Sequence, residues 1–461
     1  MRQENVLMAG AGRADITPEL GTQLAGDIGR YRPAEKIIDR IYVNAIVISD
    51  GKEKFCWLSA DLLSSNNEWA WKLRHALARE FGFIPEKVMF HVVQNHGTPS
   101  FGKIFTENKK NKMPPEYPWL DYGEDKKYNN KFIQQCIKAV RSAVNSMEPV
   151  SLYAGRGVDG RVAFNRRFIM RDGTAKTHPS KCDPNILFSE GPIDPEVGVA
   201  LFVNRKDEIK AALLHHTCHP CDAYPYRHVV ADWPGAWCEL MRRKAGEKCV
   251  PLVINGCCGN IHFCNHLSPD KDMNYKVMAE KLMETTNKIM GRMVEIKNSA
   301  CSFAREVLPL PLRKLSARVI ADAEKMLEKY PEPKWRDETK TSVDWDWVYA
   351  VTILDLAETQ KRTMRQDYEI QAFRIGEFAL LGLKGEPFVE AQLAIKQRSP
   401  ASYTFVAHFC NGYAGYLPTR KAFAAGGYET RTGSASRWDK SALEQVENCL
   451  LYTSDAADDL L

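Results

Sequence analysis

Short apolar runs rich in β-branched residues alternate with helical patterns along nearly the whole chain, and this alternation limits the folds open to it. Ile41–Ile48, Phe55–Leu58 and Val88–Val93 read as strands; Asn67–Arg79 and Asn129–Met147 repeat apolar residues at helical spacing. Further on, strands are expected at Val197–Val203, Lys210–His216 and Val250–Ile254, with a helix at Pro234–Lys244 and a long helical pattern from Asp270 towards Met290. Leu312–Arg365 is charged, Trp-bearing and mostly helical. Strands return at Tyr368–Ile375, Phe378–Leu383 and Tyr403–Phe409, with helices from Pro387 and from Ser441. The pattern predicts an α/β fold with mixed β-sheets packed against helices. The polar stretch Gly102–Tyr128 is long for a loop and reads as a lid or binding loop.

The chemistry is concentrated in one place. Six of the eleven histidines, His215, His216, His219, His228, His262 and His266, fall between Thr217-Cys-His-Pro-Cys221 and its flanks and Asn255-Gly-Cys-Cys-Gly-Asn-Ile-His262 and its flanks. Histidine is the commonest metal ligand and the usual acid or base near neutral pH. Four motifs share one syntax, an apolar strand followed by a polar cluster: Val92-Val-Gln-Asn-His-Gly-Thr-Pro99, Thr217-Cys-His-Pro220, Lys384-Gly-Glu-Pro387 and Asn411-Gly-Tyr-Ala-Gly-Tyr416. α/β proteins place their sites at such strand ends. Together the four offer imidazole, carboxylate and phenol to one divalent metal, and Zn²⁺ accepts N and O donors. Cys218, Cys221, Cys257, Cys258 and Cys264 form a competing thiolate constellation, but their spacing matches no standard ligand set, and small buried thiols are the simpler reading.

The bulk properties exclude several classes. A formal charge of +5 without a long Lys/Arg block does not imply nucleic acid. No run approaches the roughly 18 apolar residues of a membrane helix. Met1–Met8 has no apolar signal-peptide region, and thirteen cysteines without a regular framework suit reduced thiols, so the expected location is cytoplasmic. The last stretch, 449–461, resembles the in-frame translation of a sequencing-library adapter and is set aside.

The motifs taken jointly resemble those of the neutral/alkaline (non-lysosomal) ceramidase family, N-terminal catalytic domain, as a divergent bacterial member. The resemblance is carried by Gly10-Ala-Gly-Arg-Ala-Asp-Ile-Thr-Pro18, Asp39-Arg-Ile-Tyr-Val-Asn-Ala45, Leu58-Ser-Ala-Asp-Leu62 and Asn165-Arg-Arg167. Cys218-His-Pro220, Ala231-Asp-Trp-Pro-Gly235, Gly385-Glu386 and Asn411 through Tyr428 extend it over almost the whole chain. It implies one catalytic domain over 1–448, without the family's C-terminal immunoglobulin-like domain. It implies His219, Glu386 and Tyr416 as zinc ligands, Tyr428 touching substrate, and Arg166 at the reacting end of the substrate.

Two positions depart from the family pattern. Where the family carries Thr-His-Thr-His-Ser-Gly-Pro, this chain reads Val93-Gln-Asn-His-Gly-Thr-Pro99; Gln94 stands at the first histidine, a zinc ligand, and His96 at the second. Where the family carries Gly-Asp-Val-Ser-Pro, this chain reads Gly259-Asn-Ile-His-Phe263, with Asn260 and His262 in place of aspartate and serine. Either His96 takes over the metal or the metal is held differently, and His262 becomes a substitute ligand or an acid/base. The expected activity is zinc-dependent hydrolysis of an N-acyl amide by metal-activated water, with His96, Arg166, His262 and Tyr428 catalytic and Gln94, Asn260 and Trp233 facing a small-molecule or glycan substrate. The alternatives are a lyase acting on uronic-acid polysaccharides through His, Tyr and Arg side chains, and a non-catalytic metal-binding protein.

Overall fold

The protein is described by a computed structural model covering residues 6–106, 114, 116–121 and 125–449. The stretch set aside as adapter-like lies outside the described residues apart from Cys449, as does part of the expected lid at Gly102–Tyr128.

The described residues form four layers: helices, a nine-stranded sheet, a four-stranded sheet, and helices. The large sheet runs in the order Val250–Asn255, Ile209–His216, Glu196–Asn204, Glu148–Val158, Met8–Asp15, Tyr42–Ser49, Lys54–Ala60, Val88–Val92, with Val294–Glu295 also paired to Glu148–Val158. Its two outermost pairs are parallel and the interior pairs antiparallel. The small sheet runs Cys301–Pro311, Arg365–Ile375, Phe378–Leu383, Tyr403–Ala407, its last pair parallel. The mixed α/β reading of the sequence therefore holds.

Strand alternation explains why the sheets stack. In Tyr42–Ser49, Val43, Ala45 and Val47 face the helices, whereas Ile46 and Ile48 face the second sheet. Both faces are covered, so such strands read as continuous apolar runs. Between the sheets, Phe55 and Trp57 meet Phe373 edge-on, with ring centroids 5.2 and 5.7 Å away. Helix Asn67–Phe81 starts where the Asn66 side chain accepts from the Glu68 and Trp69 amides. It stops at Gly82, whose φ of 69° suits glycine.

Three long strands were not anticipated, nor were short ones such as Arg167–Met170, Ala175–Thr177 and Ile186–Ser189. Met8–Asp15 is rich in glycine and alanine because helix Lys126–Asn145 lies almost on its backbone. A Cβ on Gly10 would sit 2.0 Å from the Ala143 carbonyl oxygen, and one on Gly12 2.0 Å from that of Ala139. Glu148–Val158 carries proline, glycine and arginine, and Cys301–Pro311 is a half-exposed sheet edge with two prolines, a placement prolines tolerate. Between Leu312 and Arg365 the expected helices are Ala317–Lys329 and Trp345–Gln360.

Candidate active site

The parallel pairs determine where chemistry collects. Ile209–His216 and Val250–Asn255 run side by side and end at His216 and Asn255. Phe378–Leu383 and Tyr403–Ala407 do the same in the other sheet, and an isolated bridge joins His91 to Cys410 between the sheets. The segments after all of these strands, and the one after Val92, emerge at the same end of the layers. Asn255 ties three of them together. Its side-chain amide donates to the Val93 carbonyl at 2.9 Å and the Cys218 carbonyl at 3.1 Å, and its oxygen accepts from the Cys218 amide at 3.2 Å. Glu386–Pro387 then pairs in parallel with Tyr416–Leu417, which sets Glu386 beside Tyr416.

At the centre, Glu386 is buried and accepts from the Gln94 amide nitrogen at 2.7 Å. The same Glu386 oxygen lies 3.5 Å from His219 Nε2. His219 Nδ1 is 2.9 Å from the Ile261 carbonyl, which can only accept, so the Nδ1 proton is fixed and Nε2 presents its lone pair to the carboxylate. Burial, reinforced by the Arg166 charge, pushes His219 down to about 3, so it is neutral at pH 7. Burial pushes Glu386 up to about 7 against the opposing effects of Arg166, Gln94 and Tyr416. Two acceptor atoms facing each other at 3.5 Å repel unless a proton or a cation lies between them.

His96 repeats the geometry. Its ring is 5.7 Å from that of His219, its Nδ1 is 3.1 Å from the Gly26 carbonyl, and its Nε2 is shielded from water without a hydrogen-bond partner. Gly26, at φ 110°, is needed there because a Cβ would come within 2.8 Å of His96 Nδ1. Gln94 itself has φ 66°, a left-handed conformation rare for a residue with a side chain and common where a site dictates the backbone. Arg166 closes the far side. Its Nη2 donates to the Gly259 carbonyl at 2.7 Å and reaches the Tyr416 hydroxyl at 3.3 Å, and its Nε donates to Glu429 at 2.8 Å.

The structure thus brings Gln94, His96, His219, Glu386, Tyr416 and Arg166 together. Tyr428, 38% exposed, packs its ring 5.8 Å from Tyr416 at the outer edge of the cluster. His262 stacks 6.2 Å from His219, and on its other side the His178 ring is 4.5 Å away; His178 Nδ1 in turn lies 2.9 Å from His266 Nε2. Two expected substrate contacts sit elsewhere. Asn260 spends its side chain on the Val389 amide at 2.9 Å and the Glu390 carboxylate at 3.0 Å, so it anchors the start of helix Val389–Arg398. Trp233 is wholly buried in the core with its ring against His216, and offers no face to a ligand. The buried Glu429 escaped the sequence reading, and Asn255 was given no role there; an acidic residue one place after Tyr428 was the only available signal for the first.

For zinc, the chemistry of the donors is suitable: two neutral imidazoles with fixed Nδ1 protons, one carboxylate and one phenol. Among the described residues, however, no three His, Cys, Asp or Glu side chains converge closely enough to grip an ion. Gln94 occupies one flank of Glu386 as a donor. The cysteine constellation does not converge on an ion either, and burial pushes the Cys218, Cys257 and Cys258 thiols up, which suits inert core thiols.

This four-layer architecture, with polar loops gathered at the ends of parallel strands, is that of the neutral ceramidase fold. The structure superposes on neutral ceramidase from Pseudomonas aeruginosa with a TM-score of 0.73 and 18% identity, over 100% of this chain and 75% of that one. It matches a structure described as ceramidase complexed with C2 with a TM-score of 0.72 and 17% identity, over 99% and 76% of the two chains. No family profile matches the sequence, and no curated protein does. Among the described residues no helix is long and apolar enough to cross a membrane.

Proposed function

We propose that the protein is a metal-dependent hydrolase that cleaves an N-acyl amide. The observation that carries this reading is the facing pair of acceptors, His219 Nε2 and Glu386 Oε2 at 3.5 Å, with the shielded His96 Nε2 and the Tyr416 hydroxyl beside them. It is supported by a fold shared with neutral ceramidases. His219, Glu386 and Tyr416 would hold zinc, with His96 as the fourth donor in place of the imidazole missing at Gln94. The chemistry zinc supplies to such donors is a bound water of lowered pKa.

The chain's own groups do the rest. Arg166, buried and charged, would donate from its guanidinium to the oxyanion that develops as water adds to the amide carbonyl, with Tyr428 as a second donor. His262, a neutral imidazole whose Nδ1 accepts from the Cys264 amide at 3.2 Å, would deliver its Nε2 proton to the leaving nitrogen as the C–N bond breaks and recover one from the water that adds. Tyr428, at the outer edge, lines the approach.

The test is elemental analysis of the purified protein beside a His219→Ala/Glu386→Ala variant, with free amine release from N-acylsphingosine followed in both. About one zinc per chain, lost together with amine release in the variant, is the expected result. A wild type that stays metal-free after zinc is added would remove the metal-dependent reading. A product absorbing in the ultraviolet from a uronic-acid polysaccharide would instead establish the lyase.

A further inference from the structure

We propose that Glu429 is a positioning residue: its carboxylate fixes the Arg166 guanidinium against Tyr416 and couples the outer residue Tyr428 to the buried cluster. Glu429 is entirely buried, and both its oxygens are engaged. One accepts from Arg166 Nε at 2.8 Å; the other accepts from Arg167 Nη1 at 2.6 Å and from the Thr177 hydroxyl at 2.7 Å.

Geometry makes this more than a buried ion pair. With Nε held by Glu429, Arg166 Nη2 is left for the Gly259 carbonyl and the Tyr416 hydroxyl, the face that meets the reacting group. Arg167 is the scaffold half of the pair. It is gripped by Glu190, and its Nη2 donates to the Gly426 carbonyl at 2.7 Å. Gly427, at φ 99°, must be glycine because a Cβ would come within 2.4 Å of Arg167 Nη1. The chain therefore wraps Gly426-Gly427 over one arginine and, in the same turn Tyr428–Thr430, drives Glu429 between both. Tyr428 precedes Glu429 directly and packs against Tyr416 and, at 5.8 Å, Trp345. Displacing Glu429 displaces the Tyr428 ring and the Arg166 fork together.

The inference rests on the hydrolase reading only for its kinetic arm. Glu429→Gln and Glu429→Asp are assayed with a fluorescently labelled N-acylsphingosine, and emission from Trp345 is isolated by difference against Trp345→Phe. Glu429→Gln is expected to lower kcat by about 10- to 100-fold with KM within about threefold, because Arg166 acts on the transition state more than on the bound substrate. Glu429→Asp, which keeps the charge, recovers part of that loss. Trp345 emission shifts to the red in Glu429→Gln as the Tyr428 turn loosens. If Glu429→Gln does not fold, Arg167→Met/Glu429→Gln keeps the charge balance and takes the same measurements. Wild-type kcat in Glu429→Gln with unshifted Trp345 emission overturns the proposal. If the wild type releases no amine, the hydrolase reading fails and the Trp345 shift alone decides the positioning role.

Discussion

Gln94 donates from its amide nitrogen to Glu386 at 2.7 Å while its amide oxygen accepts from the Cys258 thiol at 3.4 Å, so only one orientation of the amide satisfies both neighbours. A donor thereby sits at the position where the family resemblance implies an imidazole ligand. Gln94→His is expected to raise zinc affinity on the order of 10- to 100-fold, measured by competition with a chromogenic chelator. Unchanged affinity would mean that position 94 does not border the metal.

Asp61 should make stability pH-dependent. Burial pushes its carboxyl up to about 7; the Tyr42 amide and Arg13 oppose this and Glu239 and Asp39 add to it. Between about pH 4 and 7 the folded protein holds a proton that the unfolded chain has released, so this group's contribution falls as pH rises through that window. Asp61→Asn removes the dependence. Denaturant melts should show the variant gaining on wild type from pH 4 upwards and levelling off above 7, by on the order of 2–4 kcal/mol. A constant difference across that range would show that Asp61 stays ionised.

Glu369 works in the opposite direction. Burial raises its carboxyl, but Arg74 and Arg305 overcome that and hold it below the usual range. Arg74 grips it in bidentate fashion at 2.8 and 3.1 Å, linking helix Asn67–Phe81 to the small sheet. The stabilisation is complete above the ordinary carboxylate range and disappears as pH falls through the depressed value. Arg74→Met should cost about 3–5 kcal/mol at pH 7 and flatten the acid limb of the stability curve. A loss below 1 kcal/mol in urea unfolding would count against this linkage.

Gly10 should tolerate no side chain. The 2.0 Å approach of its absent Cβ to the Ala143 carbonyl involves backbone, which cannot swing aside. Gly10→Ala is expected to lose at least about 3 kcal/mol, read from the urea midpoint, because the helix must lift off the sheet. Gly51→Ala, where nothing lies within 4 Å, is the control that separates crowding from the φ penalty.

Most of the framework was legible because buried strands and amphipathic helices leave periodic signatures. Phe378–Leu383 was found to the residue, and Asn67–Phe81 was short by one turn's fraction at its end. The strands that escaped owe their composition to other constraints: close helix contact in Met8–Asp15, an exposed edge in Cys301–Pro311. At the site, residues on strand ends were visible because they stand beside small or turn-forming residues, and six of them converge. Asn260 and Trp233 were misplaced because motif membership says nothing about which way a side chain faces; one caps a helix and the other fills the core. Glu429 was invisible because its partners lie more than 250 residues away in the chain.

The Asn255 knot has a consequence for how the protein acquires activity. His96, His219, Glu386 and Tyr416 come from segments spread across most of the chain, and they meet only when both sheets have closed on each other. Pairings at such sequence separation are entropically late. No fragment can carry a working half of the site. Turnover would therefore appear after secondary structure and compaction during refolding, as a direct clock for the last assembly step.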